Sequence, residues 1–180
     1  MLLFCFCGSL FADQVKIQEE FNKQLVKNNL VFNLPVDFIP VKFDSENCND
    51  VCYSYAIKHI NSKVEIRYSI FHLDEVIKEG DDLHVSFMLT VVENIAGNDK
   101  VLKFTKFDKK NKSDKKFNAD FGASILVNPK SEFGKGYKYA MIIALFKNDS
   151  RNVYITYLFD DMSELKSAFD QSLYSLKFKS

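Results

Sequence analysis

The 180-residue sequence predicts an α+β domain in which a mostly antiparallel sheet carries helices on both faces. Three observations predict it. Segments with apolar residues every three to four positions are interspersed with segments that alternate every two, the signatures of helices and strands in one chain. Two successive strand segments in the C-terminal third are apolar on both alternating sets, which demands cover on both sides. Apolar residues make up 47% of the chain and aromatic residues 14%, enough for a single core of ordinary size.

Met1 to Ala12 holds no charge and is dominated by Leu2, Leu3, Phe4, Phe6, Leu10 and Phe11. It reads as the apolar region and cleavage site of an export signal, making residues 1–12 a leader and 13–180 one α/β domain. Twelve residues are too few to cross a bilayer as a helix, which needs about 20, so no transmembrane helix is expected. Two other readings stay open: a lipid anchor on Cys7, and burial of the segment within the fold. Phe4-Cys5-Phe6 lacks the small residue that normally precedes an acylated cysteine. Either form of export places the mature chain outside the cytosol, as a periplasmic, secreted or envelope-anchored protein.

Ile17, Phe21 and Leu25 mark an amphipathic helix over residues 13–28, capped by Asp13. Its apolar stripe is narrow, so it packs on the domain rather than through it. Pro35 and Pro40 then bracket Val36 to Ile39 and confine residues 30–42 to an edge strand or extended lead-in. With Asn61-Ser62 as a two-residue turn, Tyr53, Tyr55, Ile57 and His59 stand opposite Ile70, Tyr68, Ile66 and Val64 on the core face. The reverse face pairs Lys58 with Glu65 and Ala56 with Arg67, and its polarity predicts partial exposure.

Leu83, Phe87, Val91 and Ile95 define a second helix with Asp81 as cap and Gly97 as terminator. Residues 100–116 hold eight lysines against Asp108 and Asp114, which reads as a short strand and a solvated loop. Residues 137–147 and 153–159 are the two strands apolar on both sides. Met141, Ile143 and Leu145 share one face, and Ala140, Ile142, Ala144 and Phe146 the other. Leu165, Phe169, Leu173 and Leu176 form a closing helical stripe behind a capping-box pattern, Asp161-Met162-Ser163-Glu164.

Three stretches carry a resemblance: Tyr55-Ala56-Ile57-Lys58-His59 leading to Glu65-Ile66-Arg67-Tyr68, then Phe117-Asn118-Ala119-Asp120-Phe121-Gly122-Ala123, then Tyr157-Leu158-Phe159-Asp160-Asp161. Together they resemble a group of small exported bacterial proteins of unknown function, and the order of elements is similar to the PsbP-like α/β/α sandwich. The resemblance spans roughly residues 30 to 178, and members often carry Trp where this chain has Phe121. It implies the sandwich fold, export, and a binding or accessory role; it names no reaction.

Lys+Arg and Asp+Glu balance at 24 each, so the surplus of positive charge that draws proteins to nucleic acid is missing. Asp120, Asp160 and Asp161 stand at strand ends, where carboxylates can converge on calcium; capping of the last helix accounts equally for Asp160 and Asp161. Arg67 is the cation that would complete a small-ligand site with them. Tyr137 and Tyr139, beside Phe133, could line a groove for a peptide or glycan, although tyrosine is also ordinary strand composition. Phe133-Gly134-Lys135-Gly136 fails the spacing of a phosphate loop and reads as a loop entering a strand. His59, His72 and His84 lie in separate elements at no metal spacing, and His59 reads as a hydrogen-bonded strand residue. Cys48 and Cys52 could form a small disulfide or remain thiols; a zinc site lacks its further ligands.

No cofactor is indicated. The sequence therefore reads as an exported, non-catalytic binding or accessory domain that contacts a protein or a cell-envelope component. The alternative is a calcium- or small-ligand-binding protein, or a weak hydrolase, built on Asp120, Asp160, Asp161 and Arg67.

Overall fold

A computed structural model describes residues 6–42, 52–72, 83–96, 101–107, 113–147 and 151–180. In chain order these form α1 (Phe6–Lys27), β1 (Leu30–Phe32), β2 (Phe38–Pro40), β3 (Tyr55–His59), β4 (Val64–His72), α2 (Leu83–Ile95) and β5 (Lys103–Lys106). They continue with α3 (Ser113–Phe117), β6 (Phe121–Val127), α4 (Ser131–Gly134), β7 (Tyr139–Lys147), β8 (Arg151–Phe159), α5 (Met162–Ser172) and β9 (Leu176–Phe178). A seven-stranded antiparallel sheet runs β2-β3-β4-β8-β7-β6-β5, and β1 pairs with β9 in a separate ribbon.

The alternation in β7 and β8 sorts side chains into two cores. Ile143, Leu145, Val153, Ile155, Tyr157 and Phe159 face Phe21 and Leu25 of α1, Leu165 and Ala168 of α5, and Leu30, Leu176 and Phe178 of the ribbon. Ala140, Ile142, Ala144, Phe146, Tyr154 and Leu158 face Met88, Val91, Val92 and Ile95 of α2 and Phe133 of α4. The predicted α+β architecture, with helices on both faces of a mostly antiparallel sheet, is the one found.

The hairpin register also matches, with Tyr55 opposite Tyr68, Ile57 opposite Ile66, Ala56 opposite Arg67 and Lys58 opposite Glu65. The polar face is not partly exposed at its centre, because Arg67 and Ala56 are fully buried. The strand also starts later than expected: Ser54 N–H donates to Tyr68 O at 2.7 Å, and the Tyr53 ring lies over Arg67 instead of opposite Ile70.

Other boundaries differ for local reasons. α1 begins at Phe6, so Asp13 lies inside a helix rather than capping it. Asp81 and Gly97, the expected cap and terminator of α2, lie outside the described residues. Within the lysine-rich stretch, α3 forms where a loop was expected. The terminal helix stops at Ser172, and Leu176 belongs to β9, not to the helical stripe. Leu176 and Phe178 are both buried with Lys177 between them, so this tail satisfies a period of two as well as a period of four.

At Gly122 an added Cβ would meet the Phe107 ring at 2.4 Å, so only glycine lets that ring cross the strand. Ile155 is fully buried, so Ile155→Ala lowers unfolding free energy by about 2–5 kcal/mol. Ile39→Ala, on an exposed side chain, changes it by less than about 0.5 kcal/mol. Urea denaturation of both variants checks this, and equal effects would contradict the burial pattern.

Candidate functional site

Where the β3–β4 turn meets the start of β7, the α2 side of the sheet carries a group of charged and aromatic residues. Glu65 and Arg67 are two apart on β4 and therefore project from the same face. Arg67 Nε donates to Glu65 Oε1 at 2.6 Å, with the side chains only 2% and 16% exposed respectively. The guanidinium also donates through Nη1 to the Phe133 carbonyl of α4. Its Cζ lies 4.8 Å from the Tyr53 ring centroid and 4.9 Å from that of Phe133. Burying the ion is tolerable because one carboxylate, one carbonyl and two π faces replace its water.

Beside it, Lys63 Nζ meets Asp160 Oδ2 at 2.5 Å, and the Lys138 N–H donates to Asp160 Oδ1 at 2.9 Å. Lys63 also lies 5.5 Å from the Tyr137 ring centroid. The Lys63 hydrogen bond, then the Lys138 N–H, hold the Asp160 carboxyl below its ordinary value. Burial, with Glu65 adding to it, pushes the Tyr137 phenol up to about 12. Neither group changes protonation near neutrality.

Lys135 (φ 45°) and Gly136 (φ 93°) both adopt left-handed backbone between α4 and β7. The chain thereby leaves α4 and turns Tyr137 toward Arg67 before the strand begins. The loop expected at Phe133-Gly134 is thus a helical turn followed by this reversal.

Of the six candidate ligand residues, Arg67, Tyr137 and Asp160 gather here. Tyr139 does not share their face: it stacks on Phe159 at 5.6 Å in the opposite core, because it is the first residue of β7 and Tyr137 precedes the strand. Asp161 caps α5, accepting from Ser163 N–H and Ser163 Oγ, each at 2.7 Å, and these bonds hold its carboxyl low. Glu164 does not close the capping box; its Oε2 accepts from Lys63 N–H at 3.2 Å.

Asp120 corrects the calcium reading. It precedes Phe121, which pairs with Phe146, whereas Asp160 follows Phe159, which pairs with Tyr139. The two thus lie at opposite ends of β7, roughly 23 Å apart at the rise of an extended strand. Asp120 is instead approached by Lys147 Nζ at 3.4 Å. Among the described residues no three His, Cys, Asp or Glu side chains come together as metal ligands. Cys48 lies outside the described residues, as does the pairing proposed for it with Cys52.

His59 is buried, with Nδ1 2.9 Å from Ser62 Oγ and its ring edge-on to Phe38, as expected of a hydrogen-bonded strand histidine. Lys63, Glu65, Tyr53 and the Phe133 carbonyl were not singled out by the sequence. The register held the signal, since Ala56 opposite Arg67 leaves room for a folded-down guanidinium.

Neither protein-family models nor curated protein sequences give a match to this chain. A solved structure does: the solution structure of cyanobacterial PsbP (CyanoP) from Synechocystis sp. PCC 6803, with a TM-score of 0.51. The alignment covers 85% of this chain and 88% of that one at 14% identity. The fold is PsbP-like. At that identity the PsbP-like likeness concerns architecture, and the side chains of the cluster are judged on their own geometry.

Arg67→Ala leaves the largely covered Glu65 carboxylate without its partner, empties the space between Tyr53 and Phe133, and lowers stability by about 3–5 kcal/mol. Arg67→Lys recovers less than half of that, because an ammonium lacks the planar fork and stacking surface. Thermal and urea unfolding of both variants measure this. For Asp160 the folded carboxyl value lies below the unfolded 3.8, so its contribution is present above that value and is lost as pH falls through the lowered one. Asp160→Asn therefore destabilises at neutral pH, and its effect fades as pH falls through the lowered carboxyl value; a difference independent of pH would contradict the pairing with Lys63 and Lys138.

Proposed function

We propose that this PsbP-like domain is a non-catalytic binding or accessory module that acts outside the cytosol and contacts a protein or a cell-envelope component. The observation that carries the reading is the position of its exposed apolar side chains. Val101, Leu102 and Phe104 are 44%, 51% and 52% exposed and stand together on and beside β5, an outer strand of the sheet. Exposed apolar residues grouped on one edge mark a contact surface better than the same residues scattered singly.

The charged cluster supports the same reading. Arg67, Glu65, Lys63 and Asp160 meet one another or the backbone, and they clasp α4 and the start of β7 to the hairpin. Asp160 is held low and Tyr137 high, which puts both away from the neutral range in which a general acid or base works best. Export rests on the apolar run Met1 to Ala12. Among the described residues no helix is long and apolar enough to cross a membrane.

Affinity capture from envelope extract with the intact domain, compared with Phe104→Ser, tests the reading. A partner enriched at least fivefold by the native chain and lost with the variant is expected. Intact mass of the processed protein shows removal of residues 1–12, or an added acyl mass on Cys7. No enrichment above background, with the full chain retained in the cytosol, would overturn the proposal.

A further inference from the structure

We infer that the outer edge of β5 takes up an extended acidic segment of a partner protein as an additional strand, an inference that rests on the binding reading above. The seven-stranded sheet ends at β2 on one side and β5 on the other. In antiparallel pairing, alternate residues direct N–H and C=O toward the neighbouring strand and away from it. The two edges differ in what they offer outward.

At β2, Ile60 N–H donates to Asp37 O and Val41 N–H to Ala56 O, so odd-numbered residues face β3 and Phe38 and Pro40 face out. Phe38 N–H is used locally on Pro35 O at 3.3 Å, and Pro40 has no N–H. This edge has no donor to give. At β5, Phe107 N–H donates to Gly122 O at 2.8 Å, continuing the register in which Thr105 stands opposite Ser124 and Lys103 opposite Leu126. Phe104 and Lys106 therefore direct their backbone groups outward. Neither amide has a partner among the described residues, and all four β5 side chains are exposed.

An open edge invites pairing with a second copy, and lysines on edges commonly serve to prevent it. Lys103 and Lys106, on opposite faces of β5, would bring like charges close together in a β5–β5 pair, which disfavours that occupant. The same two residues favour a strand bearing acidic groups at the matching positions. The flanking sequence strengthens this preference, since residues 100–116 carry eight lysines and two aspartates. Phe104 projects from the face opposite to Lys103, beside Ile125, and offers an apolar contact to a partner side chain. The expected partner strand thus places acidic residues beside Lys103 and Lys106 and an apolar residue beside Phe104. Main-chain bonds supply the attachment and these side chains the selectivity.

The probe is the peptide acetyl-Glu-Thr-Val-Glu-Val-Val-amide, titrated into isotope-labelled protein and followed by NMR and amide hydrogen exchange. The amides of Phe104 and Lys106 are expected to slow at least tenfold, with those of Ile39 and Val41 on the β2 side unchanged. Phe104→Pro, which removes an outward N–H, is expected to abolish the effect, whereas Phe104→Ala weakens binding only severalfold. The double variant Lys103→Glu with Lys106→Glu gives an independent arm and should reduce affinity at least tenfold. Circular dichroism verifies that each variant is folded.

The inference is overturned if the peptide leaves both amides unprotected, if Phe104→Pro binds as Phe104→Ala does, or if a lysine-for-glutamate peptide binds equally well. It is also overturned if phosphatidylglycerol vesicles bind through Lys103 and Lys106 while the peptide does not, or if sedimentation shows a dimer paired through β5. An envelope partner whose capture falls to the same degree with Phe104→Ser, Phe104→Ala and Phe104→Pro would remove strand addition and leave the binding reading standing. Absence of any partner would remove both.

Discussion

Burial of β7 and β8 on both faces is the constraint on which the rest of this protein depends. Their side chains alternate between two cores, so each strand needs a layer on either side before its backbone can leave water. α1, α5 and the β1–β9 ribbon supply one layer, and α2 with α4 the other. The helices need only narrow apolar stripes, because each covers part of a sheet rather than forming a bundle.

That arrangement leaves the β3–β4 end of the α2 side to be covered by shorter elements, and there the chain uses charge instead of aliphatic packing. Arg67 works as a spacer with an apolar body and two aromatic faces against it, and its donors hold Glu65 and the end of α4. Breaking such a set costs more than assembling it gains, since a remaining partner would be buried without compensation. The cluster accordingly fixes where the loop before β7 lies. It has the composition of an active site and the bonding of a joint.

The edges of the sheet complete the same logic. A sheet that is not closed into a barrel must end somewhere, and β2 ends in proline and a locally used amide. β5 ends differently, with two outward amides and lysines on both faces. The asymmetry separates an edge that the domain seals from one that it leaves open. Tyr137 and Asp160, held away from neutrality in opposite directions, belong to contacts made within the domain and lie away from that open edge.

The sequence by itself determined the sandwich and the hairpin register, because periods of two and four are local properties of a chain. Tyr55 opposite Tyr68, the two sets of β7 and the Asp161 cap were all legible at that range. Arg67, Tyr137 and Asp160 were legible as candidates, though not as a joint. Only the tertiary structure decided which charged residues meet, since Lys63 reaches Asp160 across 97 positions of the chain and Arg67 reaches the Phe133 carbonyl across 66. It also decided that Asp120 stands apart from Asp160, that Tyr139 faces away from Tyr137, and that Leu176 pairs as a strand. Local patterns specify which way a side chain points from its own element; only packing specifies what lies on the other side of the gap.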